Sequence, residues 1–141
     1  ITSTGEVTTY AANLSEPTGL CWKNGVLYAA ETGAHRVIRI ENGQAIVIAG
    51  NGSEGRADGA AAQAQFSSPQ GLAVSDDGVI YVSDTGNNAV RRIQNGAVTT
   101  LAACDQKQLE PYPIAPVGVM VQGGSLYVCD QFSRKVFVIP R

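Results

Sequence analysis

Histidine is almost missing from this 141-residue chain, His35 being the only one. A metal site built from several imidazoles is therefore excluded, and a lone histidine in a turn reads as a polar turn residue rather than a general base. Cysteine is scarce and odd in number: Cys21, Cys104 and Cys129 are far apart and form no Cys-x-x-Cys pair. That excludes a disulfide framework and a zinc ribbon, and leaves the thiols as small apolar fillers of strand positions. Charge of one sign is lacking too, with ten Lys and Arg against twelve Asp and Glu. No basic stripe exists to hold a nucleic acid. The longest apolar runs, 45–49 and 136–139, are strand-sized and far below the ~20 residues of a membrane-spanning helix, so neither a nucleic acid nor a membrane is expected as a partner. Gly-x-Ser-x-Gly, His-Glu-x-x-His and EF-hand patterns are all absent, and no catalytic residue, metal or cofactor is expected. The chain starts at Ile1 without a charged-then-apolar leader, and reads as a processed product or as part of something longer.

What the chain has is a repeat. Pro17-Thr-Gly-Leu, Pro69-Gln-Gly-Leu and Pro116-Val-Gly-Val lie 52 and 47 residues apart. After each comes a turn (Lys23-Asn-Gly, Asp76-Asp-Gly, Gln122-Gly-Gly) and then a strand pattern: Val26-Leu-Tyr-Ala-Ala, Val79-Ile-Tyr-Val-Ser or Ser125-Leu-Tyr-Val-Cys. Asn-Gly and Asp-Gly mark hairpins, because the favoured two-residue turn needs positive φ at both central residues. An acid closes that strand each time, Glu31, Asp84 and Asp130, placed to accept backbone N–H groups of the turn it opens. A third strand follows at Val37, Val90 and Val136, and a fourth after Asn42-Gly and Asn95-Gly. Four short antiparallel strands per unit of about 50 residues is the arithmetic of propeller blades.

The run from Val79 through Asp84-Thr-Gly-Asn-Asn to Ile93 resembles the signature hairpin of NHL-repeat proteins, and Tyr28 to Ile40 is a second copy. The stretch from Ala49 to Gly59, leading through Phe66 to Ser68-Pro-Gln-Gly, resembles the long connection between blades of that family. The third copy departs most, with Gln131-Phe-Ser where the others carry Thr-Gly. The resemblance implies an all-β propeller of four-stranded antiparallel blades, about three per chain: an outer strand at 5–11, blades at 17–50 and 69–103, and an incomplete blade at 116–141. Glycine at 19, 71 and 118 fits innermost strands crowded at the axis, and proline suits the first residue of each, where its missing N–H costs no ladder bond. Helix is expected over no more than one or two turns near 60–66.

One pattern points elsewhere. Gly50-Asn-Gly-Ser-Glu-Gly55 fits the dinucleotide fingerprint, but Ser67-Ser-Pro69 ends the following helix-compatible run too early for a crossover helix, so a blade-connecting loop is the better reading. The arginines and lysine at 36, 39, 91, 92, 134 and 135 read as the solvated charge of outer strands. The expected function is non-catalytic recognition of a protein or peptide, on a face carrying Thr32, His35, Arg36, Thr85, Asn87, Asn88, Gln131, Phe132 and Arg134. The alternative is an enzyme or small-ligand binder using the axial pocket, which rests on fold analogy. Strand counting adds an expectation about assembly: the spare outer strand 5–11 and the missing fourth strand of the last blade complement each other, so two copies would close a six-bladed ring.

Overall fold

The computed structural model describes residues 5–103, 113 and 115–141. The described strands fall into three sheets. Blade 1 contains β1 (Pro17–Lys23), β2 (Val26–Glu31), β3 (Arg36–Glu41) and β4 (Gln44–Ala49), in that spatial order. The connecting loop then supplies a two-residue strand, β5 (Gly59–Ala60). Blade 2 contains β6 (Pro69–Val74), β7 (Ile80–Asp84), β8 (Ala89–Gln94) and β9 (Ala97–Ala103), with β5 paired onto the outer edge of β9. Blade 3 contains β10 (Pro116–Gln122), β11 (Ser125–Asp130) and β12 (Lys135–Pro140). All pairings between these strands are antiparallel.

Local sequence explains the hairpins. Asn42 and Gly43 have φ of 51° and 78°, the double positive-φ turn whose twist matches the flanking strands, and Asn24-Gly25 and Asn95-Gly96 repeat it. Each innermost strand opens on proline and carries a register shift within its next few residues, at Pro17/Leu20, Pro69/Gly71 and Pro116/Gly118. The stretch near 60–66 forms a turn closed by bonds such as Ala64 N–H to Ala60 C=O, with no helix assigned there. Residues 5–11 carry no strand in the single chain. No helix among the described residues is long and apolar enough to cross a membrane.

The core lies between blades. Leu72, Val74, Ile80, Val82, Ile93 and Val98 of blade 2 pack against Ala30, Val37 and Ala49 of blade 1. On its other side blade 2 presents Tyr81 and Val90 to Val119, Leu126, Val128 and Phe137 of blade 3. Blade 2 thus has one face toward blade 1 and the other toward blade 3, the side-by-side stacking of propeller blades. At the axis the innermost strands touch: a Cβ on Gly19 would lie 2.3 Å from the Gln70 carbonyl oxygen, and one on Gly71 would lie 2.1 Å from that of Val117. No larger residue fits there without moving a strand.

Candidate recognition face

At the end of each blade where the innermost strand begins, the second and third strands are joined by one short turn. In blades 1 and 2 it is a single 3-10 turn, Thr32–Ala34 and Thr85–Asn87. The next residue is left-handed in each repeat, His35 at φ 51°, Asn88 at 52° and Arg134 at 57°. Asparagine tolerates that conformation readily; histidine and arginine adopt it because the repeat imposes the turn.

The acid before each turn does more than the turn itself asks of it. Glu31 accepts from the Ser15 N–H at 2.9 Å, Asp84 from Ser67 N–H at 2.7 Å and Asp130 from Ala115 N–H at 2.6 Å. These donors stand one or two residues ahead of the blade-opening prolines, so the carboxylates pin the incoming chain. Only Asp130 also takes a backbone N–H of its own turn, from Ser133. Burial pushes the Asp84 carboxyl up, and hydrogen bonds from Asn87, Ser67 and Arg91 oppose that rise.

Five of the nine expected contact residues hold blades and loops together. The Thr32 hydroxyl donates to the Pro69 carbonyl of blade 2 at 2.6 Å, and Thr85 donates to Pro116 of blade 3 at the same distance. His35 accepts the Ser68 N–H on Nδ1 at 3.1 Å. Asn87 donates to Gly55 C=O and to Asp84, and Arg36 pairs with the buried Glu31. Asn88, Gln131, Phe132 and Arg134 remain: Asn88 is half-buried, while the other three are exposed and Phe132 stands 74% accessible.

Three further expectations change. Arg91 is not solvated outer charge but 1% exposed. Its guanidinium donates to Asp84 and Asp58 at 2.6 Å, donates to the Gln65 and Ala57 carbonyls at 3.0 Å, and lies over the Phe66 ring. The reason is the loop from blade 1, which folds over β8 and supplies Asp58 and the two carbonyls, while Asp84 stands at the end of β7. Hydrogen bonds from Thr100 and Arg91, together with the Arg91 charge, hold the Asp58 carboxyl below its usual range, outweighing a burial effect of opposite sign. Cys129 lies in β11 as expected but is exposed, whereas Cys21 is half-buried. Cys104 falls outside the described residues. The crowding expected at all three axial glycines holds at 19 and 71 only, because a Cβ on Gly118 would meet nothing closer than Cys129 at 3.7 Å.

The glycine-rich loop uses its donors on itself. Gly50, Asn51 and Gly55 N–H groups bond to the carbonyls of Ala61, Ala64 and Phe66, and Ser53 N–H to the Asn51 side chain. The axial groove, about 390 Å³, is lined by residues 18–20, 70–72 and 117–119, which include no acid, base or thiol. Among the described residues no three His, Cys, Asp or Glu side chains gather as metal ligands.

Residues 66–93 match the model of the NHL repeat. NHL repeat-containing protein 2 of Gallus gallus is 43% identical over 79 residues, covering 54% of this chain and 11% of the relative. The chain therefore spans about a tenth of that protein's length. Among solved structures, a structural genomics protein of unknown function from Bacteroides thetaiotaomicron superimposes with TM-score 0.82 at 20% identity, over 98% of this chain and 40% of that one. Virginiamycin B lyase from Staphylococcus aureus does so with TM-score 0.57 at 18% identity, over 99% and 47%. At these identities the two structures share the fold, a β-propeller.

Proposed function

We propose that this chain, a segment of an NHL-repeat β-propeller, is a non-catalytic recognition module that binds a protein or peptide through the turn of blade 3. The observation that carries the reading is Phe132. An aromatic ring stands 74% exposed at the turn position where blades 1 and 2 carry Gly33 and Gly86. It is flanked by exposed Gln131 and Arg134, and aromatic and arginine side chains are the commonest anchors of protein interfaces. The corresponding turns of blades 1 and 2 are occupied in holding the ring, so specificity is expected from the copy that departs from the repeat. The partner would offer an apolar pocket for the ring and a carboxylate for the guanidinium.

The second reading, an enzyme or small-ligand binder at the axis, is favoured by the likeness to virginiamycin B lyase. That likeness is one of fold, and the groove offers backbone, Thr18 and Gln70 as its polar groups. The test has two arms. Capture from a lysate of the source cells is compared between the native chain and F132A/R134A by quantitative mass spectrometry. The proposal expects a protein retained by the first and lost from the second, with unchanged melting temperature. In the other arm, a thermal-shift screen of divalent cations, nucleotides and small acyl compounds should move the native chain by nothing measurable. A ligand that stabilises the native chain, together with capture indifferent to the substitutions, would favour the axial reading instead.

A further inference from the structure

Asparagine followed directly by glycine occurs four times, at Asn24-Gly25, Asn42-Gly43, Asn51-Gly52 and Asn95-Gly96. In such a pair the peptide nitrogen of the glycine, once deprotonated, can attack the side-chain amide carbon of the asparagine. A five-membered imide forms and ammonia leaves; water then opens the ring to aspartate or to isoaspartate, whose main chain runs through the side-chain carbon. No reactant but water is needed. Three of the pairs are the hairpin turns. Asn24, Asn42 and Asn95 stand at φ 50°, 51° and 51°, each followed by a positive-φ glycine, and the residues on either side are paired: Lys23 with Val26, Glu41 with Gln44, Gln94 with Ala97. The first central residue of this turn has ψ of about +30°, which carries the glycine nitrogen away from the asparagine side chain. Closing the imide ring there means unmaking the turn.

Asn51 is placed differently. It is exposed in the loop between blades 1 and 2, belongs to no strand and is not left-handed. Its side-chain oxygen accepts the Ser53 N–H at 2.8 Å, which bends the carboxamide back along the Gly52 peptide. The same donor sits on the oxygen that turns negative when the nitrogen attacks, and so stabilises that charge. Gly52 leaves the approach open. It stands at φ 85° with no atom within 4 Å of where a Cβ would be, and its N–H has no acceptor among the described residues. The departing Nδ2 is held by no more than a 3.5 Å contact with the Gln63 carbonyl, a weak bond at that length.

We infer that Asn51 is a self-modification site of this chain, converting to aspartate and isoaspartate ahead of the three asparagines held in hairpins. The inference stands apart from the recognition reading and can fail without it. Its consequence follows from what the loop holds. Gly50, Asn51 and Gly55 N–H groups bond to the carbonyls of Ala61, Ala64 and Phe66. An isoaspartate adds one carbon to the main chain between the second and third of these bonds, so the set cannot be kept in register. The same loop supplies Ala57, Asp58 and Gln65 as acceptors for the buried Arg91 guanidinium. Conversion at Asn51 therefore loosens the clamp on blade 2 from a point outside the sheet.

The test is incubation of the 141-residue chain at mildly alkaline pH, folded and in guanidinium chloride. Peptide mass spectrometry follows amide-to-acid conversion at each of the four asparagines. In the folded chain Asn51 should convert at least about fivefold faster than each of the others, the factor that one net hydrogen bond of extra opening cost gives. In guanidinium chloride the four rates should converge. Melting temperature supplies a second readout: the aged native chain should melt lower than the fresh one, and aged Asn51→Gln should not, since glutamine cannot close the five-membered ring. A hairpin asparagine that converts as fast as Asn51 in the folded chain would overturn the inference. So would an Asn51 lead that persists unchanged in guanidinium chloride, because sequence neighbours rather than the loop would then set the rate. An aged Asn51→Gln chain that loses as much melting temperature as the native one would overturn the link to the Arg91 clamp.

Discussion

Blade 2 and blade 3 are built from one repeat and differ in what surrounds them. Blade 2 is flanked on both sheet faces and capped at its outer edge by β5; its counterparts of the exposed Cys129 and Val136 are buried. Among the described residues, blade 3 packs against blade 2 on one face, and its other face carries the exposed Cys129 and Val136. The same apolar pattern is therefore a core in one place and a surface in the other. In a propeller the repeat sequence describes an interface as much as a blade, and a blade's stability resides largely in its neighbours.

The comparison breaks most sharply at Arg91. Its register equivalent in blade 3 is Phe137, an apolar residue half-buried against blade 2. Arg91→Ala would leave Asp84 buried without its guanidinium, and should lower unfolding free energy by about 3–5 kcal/mol in urea titration. Phe137→Ala, at a half-buried site, should cost clearly less. Equal losses would mean that the loop over blade 2 contributes little.

Next in size are the axial glycines. Gly71→Ala drives a Cβ onto the Val117 carbonyl and should cost about 1–3 kcal/mol by the same titration. Gly118→Ala should leave the stability of a single chain unchanged. Smaller again is Thr85→Val, which removes the donor to Pro116 at nearly constant volume. A loss of about 1 kcal/mol is expected, with faster amide exchange in β10 than in β1.

The smallest effect is an acid one. Because Asp58 is held below its ordinary value in the folded chain, its contribution is present above the unfolded value near 3.8 and is lost as pH falls through the lower folded one. Asp84 runs the other way. Burial raises it, so its contribution is present below the unfolded value and lost as pH rises through the folded one. Asp58→Asn should flatten the acid limb of the stability profile slightly, by less than about 1 kcal/mol since the Asp58 side chain is half exposed. An unchanged limb would remove Asp58 from the account.

Much of the fold was legible because its signals are local. Asn-Gly turns, proline-opened strands and the recurring acid each act within a few residues, and the three blades follow from them. The candidate site was legible only in outline. Thr32 and Thr85 looked like exposed turn residues, yet their acceptors lie 37 and 31 residues away on the next blade. Arg91 looked like surface charge because three of its four acceptors lie in a loop that folds over it, 26 to 34 residues earlier. The acids at 31, 84 and 130 were located correctly, but their main donors come from chain entering the blade, a partnership that pattern within one hairpin does not reveal. Comparison of the copies did mark Phe132, which breaks the repeat at a position where the other two agree on glycine.

The claim that blade 3 presents an interblade face is tested most directly at Cys129, whose thiol lies in the middle of that face. Its alkylation by N-ethylmaleimide, followed by peptide mass spectrometry, is compared with that of Cys21 in the same chain. The account predicts fast modification of the exposed Cys129 and slower modification of the half-buried Cys21. Modification of Cys129 no faster than that of Cys21 would contradict it.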